Sequence, residues 1–198
     1  SWSERIERKF LLSYVDPGFS NGRYSIGASA THFKNATLRF FGLGPTTAKR
    51  DQTNYTASET RANWKFGVYA NDVTQLALSQ RLRHMQPIQQ GVTELPFTGD
   101  TCPNVPGVEG ATILGQRVSF HYDTRDNLIT PTDGAAITAY AELNYNLRNR
   151  DNPLYSRYEL EVKKLFASDS KRAILIMRGD LQATLGTDVP FYELSSLG

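Results

Sequence analysis

Apolar and polar side chains alternate with a period of two along most of the chain. The pattern is clearest over residues 135–147, where every odd position carries Ala, Ile, Leu or Tyr. Successive side chains of a strand point to opposite faces, so this pattern predicts a strand with one apolar and one polar face. It predicts seven further strands, over 4–15, 22–33, 54–70, 73–84, 114–123, 155–167 and 172–186. No segment shows a convincing helical period.

Short and long connections alternate between the predicted strands. The short ones are 16–21, 71–72, 125–133 and 168–171, and the longer ones are 34–53, 85–112, 148–154 and whatever follows Leu185. Outer-membrane barrels have this layout, with short periplasmic turns and longer extracellular loops. Each predicted strand is near or above the roughly 9–11 residues that cross a bilayer at a tilt. The pattern therefore predicts an all-β fold, an antiparallel up-and-down transmembrane β-barrel segment of about eight strands.

Composition excludes one class of membrane protein and leaves a soluble alternative. Only 39% of the 198 residues are hydrophobic, and the longest apolar run is 173–177. A spanning helix needs about 18 apolar residues, so a bundle of membrane helices is excluded. A soluble β-sandwich or lipocalin-like barrel also alternates, with its apolar face inward and its charges outward. Strand length, loop asymmetry and aromatic positions favour the membrane interpretation, although alternation alone is compatible with both.

The charged and reactive residues give no signal for nucleic-acid binding, metal binding or catalysis. The net charge is +2, and no block of like charges suggests nucleic acid as a partner. The single cysteine, Cys102, excludes an internal disulfide and a cysteine-based metal cage. The three histidines are scattered without metal-ligand spacing, and no serine lies in a nucleophile elbow. We therefore expect no enzymatic activity, no cofactor and no metal.

The strongest local feature is the turn between the fifth and sixth predicted strands. It reads Tyr-Asp-Thr-Arg-Asp-Asn over 122–127 and Pro-Thr-Asp-Gly over 131–134. Asp123 and Arg125 are spaced to pair across the turn, while Pro131 fixes its own φ angle. Gly134 supplies a backbone conformation that other residues avoid, just as the next strand opens. Taken alone, these residues indicate a well-formed turn.

This turn resembles a motif of the BamA/TamA outer-membrane proteins, also called bacterial surface antigens. Members carry Asp-x-Arg-(Asp/Gly) and then Pro-Thr-x-Gly, followed by a strand hairpin. They continue with an apolar-Pro-Phe-Tyr-Glu stretch ending in Gly-Gly, which residues 189–193 and the terminal Gly198 resemble. The stretch from Arg39 to Gly44 also resembles a loop of compact members. The resemblance is specific over 114–198 and loose over 1–113.

The resemblance implies a fold and two sets of architectural residues. Residues 1–198 would form a single partial outer-membrane β-barrel domain, the fourth to eleventh of about sixteen strands, with both chain ends internal to a longer chain. The turn would be held by Asp123, Arg125, Asp126, Pro131 and Gly134. The stretch that leads into a long loop folded back into the lumen would contain Pro190, Phe191, Tyr192 and Gly198.

The resemblance also implies a function and partners. The implied function is insertion, assembly or translocation of proteins at the bacterial outer membrane, without covalent chemistry. Implied partners are outer-membrane lipids and lipopolysaccharide, together with client outer-membrane proteins or the subunits of an envelope complex. The alternatives are a structural barrel subunit of a larger envelope complex, or a barrel that anchors a hydrolase domain encoded upstream.

The polar face of the last two predicted strands carries charges of both signs. We expect these side chains to face the lumen, where opposite charges on neighbouring strands can pair. A lumen wall whose charges neutralise one another is expected in a lumen that holds a folded-in loop. It is less expected in a pore that selects ions of one sign. The residues are Arg157, Glu159, Glu161, Lys163, Arg178 and Asp180.

Overall fold

Eight antiparallel strands form one sheet in chain order. The computed structural model describes residues 7–44, 47, 49–89, 91–168 and 172–194. Among these residues β1 and β8 each pair on one side only, so the sheet is open and forms part of a barrel. The strands are β1 (Glu7–Phe19), β2 (Tyr24–Phe40), β3 (Thr53–Asn71), β4 (Thr74–Gln89), β5 (Ala111–Asp123), β6 (Gly134–Asn146), β7 (Leu154–Ala167) and β8 (Ile174–Leu185).

All eight predicted strands are confirmed, but several extend beyond their predicted bounds: β1 continues to Phe19, β5 already begins at Ala111, and β2 and β4 extend furthest. The prediction ended the second strand at residue 33, whereas β2 continues to Phe40. Its register with β3 shifts between Asn35 and Leu38. A bulge adds one residue to one strand and changes the parity of everything beyond it, so alternation no longer marks the strand there. Likewise, β4 continues past residue 84 to Gln89.

In the described part of the chain, helical structure is confined to short segments in the connections. One α-helical turn spans Thr98–Thr101, and 3₁₀ turns span Lys49–Asp51 and Phe191–Glu193. Within the described residues, no helix has the length and apolarity needed to cross a membrane.

The two faces of the sheet are buried in the opposite sense to those of a soluble protein. On the apolar face of β4, Leu76 is 52% exposed and Leu78 is 47% exposed. On the polar face, Glu59 of β3 is 1% exposed and Glu142 of β6 is 2% exposed. Charged residues are almost never fully buried unless they are paired, whereas a barrel in lipid keeps its apolar band outside. The burial pattern therefore contradicts the soluble alternative.

Candidate functional site

The chain that follows β8 returns across the polar face of the sheet. Gly186 has a φ of +155° and lies so close to β7 that a Cβ there would be 2.6 Å from the Cβ of Tyr155. Beyond this turn, Val189 packs in a buried cluster with Ala111, Ile113 and Tyr155. We refer to residues 189–193 as the docked segment. Its first contacts attach it to β5 and β7.

Two aromatic side chains continue the docked segment into a second apolar cluster. The ring of Phe191 lies 4.8 Å from that of Phe40 and 5.3 Å from that of Tyr55, in tilted and edge-on arrangements. Tyr192 packs edge-on against Phe191 at 5.0 Å. Such geometries are the favoured ones for aromatic pairs. The backbone N–H of Phe191 also donates to the carbonyl of Pro106, which ties the segment to the β4–β5 connection.

Glu193 ends the docked segment with a buried carboxylate. Arg81 donates to both of its oxygens at 2.9 Å, Arg157 donates to Oε2 at 3.2 Å, and Arg83 contacts Oε1. Burial disfavours the charged carboxylate. The hydrogen bond from Arg81 and the charges of Arg81, Arg83 and Arg157 outweigh that effect and lower the pKa of Glu193 from 4.5 to about 2. The docked segment is therefore held by a carboxylate that remains ionised although it is buried from solvent.

The ion pairs of Glu193 belong to a larger set of linked charges. Arg81 also binds Glu142 at 2.8 Å, and Arg117 binds the other oxygen of Glu142 at 2.5 Å. Glu59 binds Arg83 at 2.6 Å and Arg61 at 2.5 Å. We call this set the arginine–glutamate network, and it extends over five strands, β3 to β7, and the docked segment. It comprises Arg61, Arg81, Arg83, Arg117, Arg157, Glu59, Glu142 and Glu193.

A glycine in β5 allows charges from β4 and β6 to meet. Gly115 pairs with Arg81 on one side and with Asn144 on the other. Arg81 reaches across it to donate to Asn144 Oδ1 at 2.9 Å and to Glu142. A Cβ on Gly115 would lie 2.7 Å from Asn144 Oδ1, which is closer than real Cβ contacts come. The arginine–glutamate network thus depends on residue 115 being a glycine, which has no side chain.

The β5–β6 turn is a second organised feature of the structure. Arg125 donates through its backbone N–H and its guanidinium to Asp123, and the Nε to Oδ1 distance is 2.9 Å. The carboxylate of Asp126 accepts the N–H groups of Thr132 and Asp133 at 2.9 and 3.1 Å. Pro131 precedes these two donors. The turn is therefore closed by carboxylates that reach back to its own backbone.

Gly134 is required where this turn enters β6. Its φ is +109°, in the region that side chains rarely adopt. A Cβ there would lie 2.4 Å from the backbone oxygen of Thr124, an atom that cannot move aside.

One family model matches the chain, and it matches from residue 1 to residue 198 as an Omp85 superfamily domain. The chain belongs to the Omp85 superfamily. Omp85 proteins as a group reside in the outer membrane and insert or translocate other proteins, as transporters or assembly factors. Membership agrees with the resemblance to BamA/TamA proteins and with the open all-β sheet. A search of curated proteins finds no match.

In this Omp85 chain, the structure brings four of the six charges of the last two strands together and separates the other two from them. Glu161 binds Arg178 at 2.7 Å and Lys163 at 2.5 Å, and Arg178 lies 3.6 Å from Asp180. Arg157, by contrast, contacts Glu193 of the docked segment. Glu159 stands opposite Tyr140 of β6 and Gln182 of β8.

Among the loop residues singled out from the sequence, Pro190, Phe191 and Tyr192 lie together in the docked segment. Gly198 lies outside the described residues.

Sequence reasoning about this Omp85 chain missed most of the arginine–glutamate network. Glu59, Arg81, Arg83 and Glu142 all occupy polar positions of predicted strands, and Glu193 closes the stretch that resembles the family motif. Each of these strand residues belongs to the polar set of its own strand, which places them on one face and is a usable signal. What the sequence did not supply was the pairing between strands, which decides which of these charges meet.

Proposed function

We propose that this chain forms part of the wall of an outer-membrane β-barrel that inserts or translocates proteins, as a BamA/TamA-type member of the Omp85 superfamily. The polar face would line the lumen and the apolar face would contact lipid and lipopolysaccharide. Short connections would lie in the periplasm and long ones outside the cell. The exposure of the leucines on β4 and the burial of Glu59 and Glu142 support this orientation.

The docked segment is the observation that carries the proposal. A pore that conducts solutes needs an unobstructed lumen, whereas here the polar face holds protein. Phe191 and Tyr192 are packed on it, and Glu193 is bound by three arginines from two strands. We infer that this segment leads a loop into the lumen and fixes its base to the wall. A barrel whose lumen is occupied in this way is better suited to act on client proteins through the edges of its strands than to conduct solutes.

The proposed mechanism uses backbone pairing and no covalent chemistry. Unpaired N–H and C=O groups at a strand edge readily pair with another strand, so an opened seam would accept a client strand. All seven neighbouring strand pairs from β1 to β8 are formed, and we place the seam outside them. The described residues would therefore act as the rigid side of the barrel, and the clients would be other outer-membrane proteins.

The proposal can be tested with the full-length protein in vesicles of phosphatidylethanolamine and phosphatidylglycerol. A urea-denatured outer-membrane β-barrel is added, and its folding is followed by the mobility difference between boiled and unboiled samples. We expect folding to be faster than in empty vesicles. Large, steady and strongly ion-selective single-channel conductance without faster client folding would contradict the proposal. Co-purification at fixed stoichiometry without that activity would instead favour a structural subunit.

A further inference from the structure

A recess of about 750 Å³ lies on the polar face beside the docked segment. Strands β2 to β6 provide most of its lining, and Tyr192 forms part of one side. One carboxylate, that of Glu142, is among the described residues that line it. The cationic lining residues are Arg61, Lys65, Arg81, Arg83, Arg117 and Arg157.

The carboxylates around the recess are too few to balance these cations. The arginine–glutamate network contains five arginines and three glutamates. Lys65 adds a further positive charge, and its Nζ donates to the neutral amide oxygen of Gln75 at 3.3 Å. No carboxylate in the described part of the chain forms an ion pair with Lys65. Among the described residues, the recess therefore has an excess of positive charge.

Several guanidinium donors at the recess also lack hydrogen-bond partners. The Nε atoms of Arg61, Arg81 and Arg83 are buried and donate to no acceptor in the structure. The side chain of Arg83 is only 10% exposed, so water has little access to it. A buried donor without an acceptor costs free energy, and a native structure leaves few of them. These Nε atoms themselves have almost no accessible surface, so the excess of positive charge among the residues that line the recess is the observation that indicates an anion.

We propose that this recess binds a phosphate group carried by a small soluble molecule. Guanidinium groups together with an ammonium group are the side chains that proteins use for phosphate, because they supply several charged donors at fixed geometry. Ser25, Ser29 and Asn63 also line the recess and offer polar atoms to a hydroxyl-bearing ligand. Most of the charged and polar residues that line the recess belong to the polar face, whereas lipid would cover the apolar face, and this favours a soluble ligand over a lipid headgroup.

Calorimetric titration of the full-length protein in a neutral detergent with inorganic pyrophosphate, at low ionic strength, tests the proposal. We expect saturable binding that weakens at least tenfold in Lys65→Gln, since this change removes a charge that no described carboxylate pairs. Arg61→Gln is a second variant, because Glu59 keeps Arg83 as its partner. Lys163→Gln is the matched control: Lys163 lies on the same face but binds Glu161, outside the recess, and its affinity should be unchanged.

Two results would overturn the phosphate site: no saturable binding by the unmodified protein, or equal weakening in Lys65→Gln and Lys163→Gln. A second titration with dihexanoyl phosphatidylglycerol identifies the source of the phosphate. Failure of this lipid to displace pyrophosphate supports a soluble ligand, and displacement overturns that part of the proposal in favour of a headgroup. The mobility shift on boiling shows that each variant is folded. Binding is measured without client proteins, so its outcome is independent of the proposed insertion activity.

Discussion

Glu193 has no exposed side-chain surface, and three guanidinium groups offset the cost of burying its charge. Replacing one partner of a buried ion pair leaves the others charged without compensation, which is more costly than the loss of an exposed pair. The same logic applies to Glu59 and Glu142, each of which binds two arginines closely. The polar face is therefore stabilised by ion pairing, and a single buried carboxylate accounts for several of these pairs.

Glu193→Gln should release the docked segment. The amide keeps the shape but removes the charge that compensates Arg81 and Arg83, and breaking such a buried pair costs about 3–5 kcal/mol. We expect faster hydrogen exchange at residues 189–194, measured by mass spectrometry on the folded protein in detergent. Glu161→Gln, which removes a partly exposed carboxylate of β7, serves as the control and should leave exchange in the segment unchanged. Unchanged exchange in Glu193→Gln would contradict the anchoring role.

Acid should release the same segment. The pKa of Glu193 is lowered from 4.5 to about 2, so the folded state favours the ionised form more than the unfolded chain does. The resulting stabilisation, on the order of 3 kcal/mol, is fully present above pH 4.5 and is lost as the pH falls towards 2. Protection of residues 189–194, with exchange rates corrected for pH, should decline over this range in the native protein. A decline of the same size in Glu193→Gln would show that another group is responsible.

The strands show how far a sequence pattern reaches. Alternation located all eight, because each has one face in an apolar and one in a polar environment. It failed beyond Asn35, where a bulge reverses the parity of β2. It also did not predict the network, since Arg81 meets Glu142 only through the registers of β4, β5 and β6. The contact between Arg81 and Glu193 spans 112 positions, and no local signal encodes it.

The role of Gly115 can be tested at the scale of neighbouring strands. In Gly115→Ala the new Cβ would lie 2.7 Å from Asn144 Oδ1, so Asn144 and Arg81 must shift. We expect a loss of about 1–3 kcal/mol in the free energy of unfolding, typical of an overpacked site. Urea titration in detergent micelles measures this. Gly179→Ala in β8 is the matched control, because its Cβ would contact nothing within 4 Å. Equal effects of the two changes would contradict the steric argument.

The molecule as a whole has its apolar side chains outside and its charges inside. Burial shows this inversion in the strands that lie between β1 and β8, which are themselves largely exposed on both faces, and it agrees with membership of the Omp85 superfamily. The fold class was predictable from alternation and connection lengths. The docking of residues 189–193 was implied only through the resemblance, since nothing in the spacing of these residues says which surface they cover.

Leu78→Arg tests the inversion. If the apolar face contacts lipid, arginine on this face of β4 should lower the free energy of unfolding, by about 2–4 kcal/mol at the bilayer midplane and by less nearer its edges. The change would appear in urea unfolding in vesicles as a lower free energy of unfolding. Gln182→Arg, on the polar face opposite Glu159, is the control and should change little. In a protein whose apolar face met water, an already exposed Leu78 would tolerate arginine, and the two variants would behave alike.

The contacts of Glu193 have a mechanical consequence. Arg81 and Arg83 belong to β4 and Arg157 to β7, so one carboxylate joins two strands that are three places apart in the sheet. A tie between two points of an arc acts as a brace, because it fixes the length of the chord and hence the radius of curvature. Bending of the wall between β4 and β7 must therefore stretch these ion pairs. Bending of the barrel wall is therefore expected mainly in the strands outside the arc from β4 to β7.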